Sequence, residues 1–138
     1  MPKIKAKATW IENVHSRVDN QRNHTVECDL PAAAGGSDCG PTALELCLMS
    51  LADCGITIFV DVCKKSNIKL NKVDVTVEAD KTPDSPIITG VTMKVDASST
   101  ARKELLEAAW HRTEASCPVF FIFKEQTPVK VAFEGKTE

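Results

Sequence analysis

The sequence predicts an α+β fold in which an antiparallel sheet packs on one long central helix. Several segments alternate apolar and polar residues with a period of two, as half-buried strands do. Residues 42–64 form an apolar stretch of helical length, and residues 98–117 carry apolar side chains at helical spacing. Because the strands are joined by short turns, they are expected to pair antiparallel. The length of 138 residues predicts a single domain over residues 1–138.

The first part of the chain predicts two or three strands and a loop. The stretch "KIKAKATWI" alternates and predicts a half-buried strand, whose inward positions are Ile4, Ala6, Ala8 and Trp10. A bend is expected near residues 19–23, followed by a strand with Val26, Cys28 and Leu30 inward. The loop "PAAAGGSDCGP" ends at Pro41, which we expect as the first helical residue because its missing N–H costs nothing there.

Residues 42–64 predict a central helix that is apolar on nearly every side. Such a helix is buried all round. A sheet within the same chain covers one side of it, so we expect an obligate homodimer built around this helix. We expect the segment to be too short and too acidic to span a membrane.

The second part of the chain predicts a hairpin, a helix and a last strand. Residues 71–80 and 88–97 alternate on either side of the turn "KTPDSP". An amphipathic helix is expected to begin at a Ser/Thr cap and to present one face consisting of Leu106, Trp110, Thr113 and Cys117. Pro118 disfavours helical geometry at Cys117. The stretch "VKVAFE" predicts a short final strand.

Composition excludes several classes of function. The net charge is −2 and aromatic residues make up 5 %, which argues against a nucleic-acid or anionic-membrane surface. The N-terminal stretch has no unbroken apolar region, so we expect no signal peptide and a cytoplasmic protein. Six cysteines occur without a C-x-x-C pair, and the three histidines lack ligand spacing, so no metal or cofactor is expected.

Two cysteines are the strongest candidates for thiol chemistry. Cys54 lies mid-helix among small residues, and Cys117 lies at a helix end. If the second helix packs on the first, the two sulfurs approach disulfide range. A peroxide-reducing protein needs a thiolate, a cation to hold it and a second thiol to resolve the sulfenate. The plain alternative is that a buried cysteine is a small apolar residue.

The other cysteines divide into one rival and three core candidates. Cys39 lies just before a helix N-terminus, where the helix dipole lowers a thiol pKa, so it is a rival reactive thiol. The remaining three are expected in the core: Cys28, Cys47 and Cys63.

The stretch "GGSDCGPTALELCLMSLADC" resembles the motif of the OsmC/Ohr family of organic-hydroperoxide-reducing proteins, with Glu45 nine residues before Cys54. "EASCPV" resembles the second family cysteine, at Cys117, while "W-I-x-N" and "N-H-x-V-x-x-D" look most like the general OsmC-like branch. The resemblance implies an intertwined homodimer in which two central helices cross between two antiparallel sheets.

The resemblance also implies a mechanism. Cys54 would be the peroxidatic thiolate, and Cys117 would resolve its sulfenate as a disulfide. A small thiol or a lipoyl-bearing protein would then reduce the disulfide. In the family an arginine held by the motif glutamate activates the thiolate. The family's Gly-Arg turn is absent here, so Arg17 is the expected cation and Arg22 the alternative.

Three features bear on that mechanism. Nine residues place Glu45 nearly opposite Cys54 on an ideal helix and about 13 Å along it, so Glu45 would serve the thiol of the other subunit. Its simpler role is that of a first-turn acid favoured by the helix dipole. Asp53 is a carboxylate beside the thiol and disfavours a thiolate there. The stretch "CPVFFIF" indicates a more apolar wall beside Cys117 than the family usually has.

Two functions therefore follow from the sequence. The first is a thiol-dependent peroxidase that reduces organic hydroperoxides to alcohols. The second is a non-catalytic protein of the same fold that binds a small apolar ligand or senses redox state, with Cys39 as its thiol in the sensing case.

Overall fold

The computed structural model describes residues 1–137 and has an α+β fold with antiparallel sheets, as the sequence predicts. A three-residue 3-10 turn, Ala32–Ala34, follows the third strand. The strands are β1 (Lys7–Glu12), β2 (His15–Asp19), β3 (Thr25–Cys28), β4 (Leu70–Lys81) and β5 (Ile88–Ser99). The helices are α1 (Ala43–Lys65), α2 (Lys103–Ser116) and α3 (Pro118–Lys124).

The first three strands form an antiparallel sheet in the order β1-β2-β3. Its register places Arg17 opposite Glu27. Cys28 is buried, as predicted, whereas Val26 is exposed. All six residues of β1 are exposed, so the prediction of a half-buried strand is wrong for the single chain. Strand β1 is an edge strand, and within residues 1–137 no layer covers its apolar residues.

Contacts divide the chain into two compact units, residues 1–50 with 77–92 and residues 51–76 with 93 onward. The second unit holds the main core. Its buried members are Phe59, Cys63, Ile68 and Ala109. Phe59 packs edge-on against Trp110, with ring centroids 5.6 Å apart. The core of this unit is therefore formed by one stripe of α1, one face of α2 and residues of the β4–β5 hairpin.

Helix α1 is buried along one stripe rather than all round. Its buried residues recur every four positions and are Leu51, Gly55, Phe59 and Cys63. Leu44 and Met49 are 39 % and 53 % exposed. The complete burial expected from the sequence is thus not achieved by one chain.

The length and composition of α1 also differ from the expectation about membranes. The helix has 23 residues and reaches a mean hydropathy of 1.9, so by these two criteria it is long and apolar enough to cross a bilayer. The prediction that this segment is too short and too acidic to span a membrane is wrong by these criteria. Core helices of globular proteins meet the same criteria, and the buried stripe of α1 is of that kind.

The helix ends differ in detail from the predictions. Helix α1 begins at Ala43, after Pro41, because Thr42 acts as its N-cap. Helix α2 begins at Lys103, and its N-cap residue Arg102 makes no side-chain cap, so the predicted Ser/Thr cap is wrong. Cys117 has extended backbone angles, as Pro118 predicts. The short helix α3 that follows was not predicted.

The C-terminal stretch "VKVAFE" was predicted as a strand, but residues 126–137 contain no helix or strand in the structure. A strand needs a neighbour to satisfy its backbone N–H and C=O groups. The alternating pattern is present in the sequence, whereas a pairing partner is absent from the described part of this chain.

Candidate active site

Helices α1 and α2 bring Cys54 and Cys117 together. The Cys117 Sγ lies 2.6 Å from the Cys54 Sγ, and both cysteines are free. A disulfide bond is about 2.05 Å long, so a small movement of either side chain joins the two sulfurs. Cys54 lies beside the buried stripe of α1, next to Gly55, and Cys117 is the C-cap residue of α2. The approach expected from helix packing is therefore present.

The two thiols have different surroundings. Cys117 is 3 % exposed, whereas Cys54 is partly exposed. Burial raises the pKa of the Cys117 thiol, and its hydrogen bond to Cys54 raises it further. Cys117 therefore remains protonated and acts as the donor, while the Cys54 sulfur accepts. The raised pKa of Cys117 and the partial exposure of Cys54 favour Cys54 as the nucleophile.

A small cavity of about 10 Å³ adjoins the thiol pair, with Cys117 in its wall. The other residues that line it are Gly55, Met93, Trp110, Thr113, Glu114 and Phe120. The Trp110 indole N–H donates to Glu114 Oε1 at 2.8 Å, which fixes the ring. A Cβ on Gly55 would lie 3.5 Å from the Trp110 ring, in ordinary van der Waals contact with it. The surroundings of Cys117 are thus mainly apolar. Phe120, from the stretch "CPVFFIF", contributes to them, as expected from the sequence.

Asp53, the acid beside the candidate nucleophile, is exposed to solvent. On a helix, adjacent residues point about 100° apart, so the carboxylate and the thiol lie on different faces. Exposure also screens the carboxylate charge. The repulsion expected from the sequence is correspondingly small.

Arg17, the expected cation, is held by Glu27 across strands β2 and β3. Its Nε and Nη2 donate to the two Glu27 carboxylate oxygens at 2.8 and 3.2 Å. His15 Nε2 lies 2.8 Å from Glu27 Oε1. The hydrogen bonds from Arg17, and then that from His15, hold the pKa of the Glu27 carboxyl below its ordinary value. Arg17 is thus pre-oriented by Glu27, a carboxylate that no motif in the sequence indicates.

Glu45, the motif glutamate, forms a capping box with Thr42. The Thr42 N–H donates to Glu45 Oε1 at 2.9 Å, and the Glu45 N–H donates to Thr42 Oγ1 at 3.1 Å. This confirms the helix-start role that was the simpler of the two expectations. Among residues 1–137, no hydrogen bond or ion pair joins Glu45 to Arg17. Arg22, the alternative cation, is exposed in the turn between β2 and β3.

Asp29, a residue given no role from the sequence, organises the Gly-rich loop. It is 3 % exposed, and its Oδ2 accepts the N–H groups of Ser37 and Cys39, both at 3.1 Å. These backbone N–H groups hold the pKa of its carboxyl below the ordinary value. A Cβ on Gly36 would collide with the Leu30 carbonyl, so glycine is required there. The loop is therefore wrapped around a buried carboxylate.

That arrangement changes the expectation for Cys39. Its thiol is exposed, as a reactive thiol would be. However, the hydrogen bond to Asp29 raises the pKa of the Cys39 thiol, and nearby carboxylates add to the effect. The prediction that the helix dipole lowers this pKa is therefore wrong.

The three cysteines expected in the core do not all lie there. Cys28 and Cys63 are buried, as predicted, and burial raises the pKa of the Cys63 thiol. Cys47 is exposed, so its core assignment is wrong. Its position precedes the buried stripe of α1, where the chain leaves that helix face uncovered.

Comparisons with known proteins place the chain in a family. The family model for OsmC-like proteins matches residues 35–132, so the chain belongs to the OsmC-like protein family. The OsmC/Ohr family is homodimeric. No curated protein matches the sequence.

Several solved structures share the fold. An OsmC-like protein of Mycoplasma pneumoniae aligns with a TM-score of 0.79 at 14 % identity, over 91 % of this chain and 89 % of that one. An organic hydroperoxide resistance protein OsmC of Legionella pneumophila aligns with a TM-score of 0.67 at 19 % identity, over 90 % of each chain. An organic hydroperoxide resistance protein of Elizabethkingia anophelis aligns with a TM-score of 0.63 at 18 % identity, over 91 % of each chain.

Proposed function

We propose that the protein is a thiol-dependent peroxidase that reduces organic hydroperoxides to alcohols. The observation that carries the proposal is the 2.6 Å separation between the sulfurs of Cys54 and Cys117. Membership of the OsmC-like family supports it, since structural neighbours are named organic hydroperoxide resistance proteins. The apolar wall beside the thiols suits a substrate with an apolar group.

The reaction has three balanced steps. The Cys54 thiolate attacks the distal oxygen of ROOH, the O–O bond breaks, and RO⁻ takes a proton to leave as ROH. The Cys117 thiol then attacks the Cys54 sulfenic acid, forming a disulfide and releasing water. Two thiols of a small-molecule reductant or a dihydrolipoyl group of a protein reduce this disulfide and are themselves oxidised to a disulfide.

The difference in burial between Cys54 and Cys117 supports their assignment as the peroxidatic and the resolving thiol, respectively. The partly exposed Cys54 is the thiol that a hydroperoxide reaches, and the buried Cys117 is protected from direct oxidation. Cys117 is already at the sulfur that it must attack. Its raised pKa is consistent with a resolving thiol, which acts only after the sulfenate has formed.

We further propose that Arg17 holds the Cys54 thiolate and that the active unit is a homodimer in the cytoplasm. The bidentate grip of Glu27 on Arg17 provides an oriented guanidinium. The exposed apolar residues Leu44 and Met49 of α1 supply a surface that a second subunit would bury. In addition to its capping role at the start of α1, Glu45 would serve the Cys54 thiol of the other subunit.

Turnover of cumene hydroperoxide with dithiothreitol as reductant tests the proposal. Cys54→Ser is expected to abolish turnover. In a single-turnover reaction from which dithiothreitol has been removed, Cys117→Ser is expected to consume about one hydroperoxide per subunit and to stop at the sulfenate. Cys47→Ser, which changes an exposed thiol of the same helix, is the matched control and should retain wild-type activity. An unchanged rate in Cys54→Ser would rule the proposal out.

A further inference from the structure

Strands β2 and β3 place a histidine beside the ion pair of Arg17 and Glu27. His15 and Arg17 are two residues apart on β2, so their side chains lie on the same face of the sheet. Arg17 is paired with Glu27 on β3, which makes Glu27 a diagonal neighbour of His15 on that face. His15 Nε2 lies 2.8 Å from Glu27 Oε1, an ordinary hydrogen-bond distance. The three side chains therefore form one connected cluster.

The charge of Glu27 determines which atom of this contact carries the hydrogen. The hydrogen bonds from Arg17, and then that from His15, hold the pKa of the Glu27 carboxyl below its ordinary value, so the group is an anion near neutral pH. An ionised carboxylate only accepts hydrogen bonds. His15 Nε2 therefore carries the hydrogen, and the ring donates to Glu27.

Two donors share one oxygen of the Glu27 carboxylate. Glu27 Oε1 accepts from His15 Nε2 at 2.8 Å and from Arg17 Nη2 at 3.2 Å, while Oε2 accepts from Arg17 Nε at 2.8 Å. The side chain of His15 is 18 % exposed, that of Glu27 34 % and that of Arg17 53 %. An ion pair that is this exposed is weakly held by itself, because water competes for both partners. His15, the least exposed of the three, ties the pair to the sheet.

We propose that His15 is a positioning residue for the peroxidase reaction: by donating to Glu27 Oε1, it fixes the carboxylate that orients the Arg17 guanidinium. The inference rests on the function proposed above, in which Arg17 holds the Cys54 thiolate. A carboxylate and a guanidinium match at two points only while both oxygens face the two donors. Without the His15 donor, the exposed pair is free to swing as a unit, and the guanidinium loses its fixed direction.

Nitrogen-15 NMR of the His15 ring tests the contact independently of activity. Near neutral pH, the Nε2 signal is expected in the range of a protonated ring nitrogen. Its hydrogen should exchange with water faster in Glu27→Ala than in the wild type, because the acceptor is lost. An Nε2 signal in the range of an unprotonated nitrogen in the wild type would overturn the inference.

Matched substitutions of His15 test its effect on the reaction. His15→Leu should lower the second-order rate constant with cumene hydroperoxide about fivefold, the effect expected when one hydrogen bond is lost. His15→Gln keeps an N–H donor on the side chain and should recover most of the rate. His111→Leu makes the same change at an exposed position of α2 and should leave the rate unchanged. Equal rate constants for the wild type and His15→Leu would contradict the positioning role.

A double-mutant cycle tests whether His15 acts through Glu27. In a Glu27→Ala background, His15→Leu should lower the rate constant no further. The full loss in that background would show that His15 acts by another route and would overturn the inference. If His15→Leu does not fold, the wild-type NMR spectrum and the rate of His15→Gln decide it.

Failure of this inference is distinguishable from failure of the proposed function. If the peroxidase proposal is wrong, Cys54→Ser will retain its turnover, and the role of His15 falls with that proposal. If only the inference about His15 is wrong, Cys54→Ser will be inactive while His15→Leu reacts at the wild-type rate.

Discussion

Arg17 and Glu27 form a two-point ion pair across strands β2 and β3, with N···O distances of 2.8 and 3.2 Å. In this chain the candidate activating arginine is therefore held by a strand carboxylate, while the motif glutamate Glu45 caps its own helix. A planar guanidinium gripped at two points has a fixed orientation. That orientation is what a thiolate-binding cation requires.

Loss of the Glu27 carboxylate should slow the peroxidase reaction. Glu27→Gln is expected to lower the second-order rate constant with cumene hydroperoxide about tenfold. The neutral amide has one acceptor oxygen, so it orients Arg17 less firmly than the carboxylate, which accepts at both oxygens. Arg17→Ala should lower it further. Arg22→Ala removes an exposed arginine of the neighbouring turn and should leave the rate unchanged. Stopped-flow measurement of hydroperoxide consumption gives these rates, and an equal effect of Arg17→Ala and Arg22→Ala would contradict the role of Arg17.

The two roles of Glu45 can be separated through its capping partner. Thr42→Ala removes the hydroxyl cap and should lower the free energy of unfolding by about 1 kcal/mol while leaving the Glu45 carboxylate in place. Glu45→Gln should cost no more stability than this, because an amide oxygen still accepts from the Thr42 N–H. If Glu45 serves only the cap, both variants will have wild-type turnover. If it also serves the thiol site, Glu45→Gln alone will lose activity at equal or higher stability in urea unfolding.

Cys39 should behave as an unreactive thiol despite its exposure. Because Asp29 and nearby carboxylates raise its pKa, its thiolate fraction near pH 8 is below that of a free cysteine. Iodoacetamide labelling followed by peptide mass spectrometry should modify Cys39 appreciably only at a pH above the range of an ordinary thiol, about pH 8.5. Faster labelling of Cys39 than of the exposed Cys47 at pH 7 would instead support the redox-sensing function.

The stability of the reduced protein should fall in alkaline solution. The pKa of Cys117 is raised in the folded state by burial. The contribution of this thiol to the free energy of unfolding is therefore fully present below about pH 8.5, and it is lost as pH rises through the folded-state pKa. Cys117→Ser should reduce the fall in thermal-unfolding temperature between pH 8 and pH 10. Part of the fall should remain, because burial also raises the pKa of Cys63. An identical pH dependence in both proteins would show that Cys117 does not carry the effect.

The sequence predicted those features that depend on periodicity and missed those that depend on register or on a partner. Helix α1 and the β4–β5 hairpin follow from long, regular patterns, and they were located to within a few residues. The proximity of Cys54 and Cys117 followed from helix packing. The pairing of Arg17 with Glu27 requires the register of β2 and β3, which alternation alone does not define.

Other differences had signals in the sequence. Thr42 and Glu45 have the T-x-x-E spacing of a capping box, which would have placed the start of α1 correctly. Asp29 gave no such signal, because its partners are backbone N–H groups of a loop whose path is set in three dimensions. The "VKVAFE" stretch has the pattern of a strand, but alternation alone does not provide the neighbouring strand with which its backbone groups would have to pair.

The central claim is that Cys54 and Cys117 form one redox pair that reduces a hydroperoxide. One equivalent of cumene hydroperoxide added to the fully reduced protein, followed by alkylation, proteolysis and mass spectrometry, measures this most directly. One cumyl alcohol per subunit and a peptide pair linked by a Cys54–Cys117 disulfide are expected. Recovery of both cysteines as alkylated thiols, with the hydroperoxide unconsumed, would contradict it.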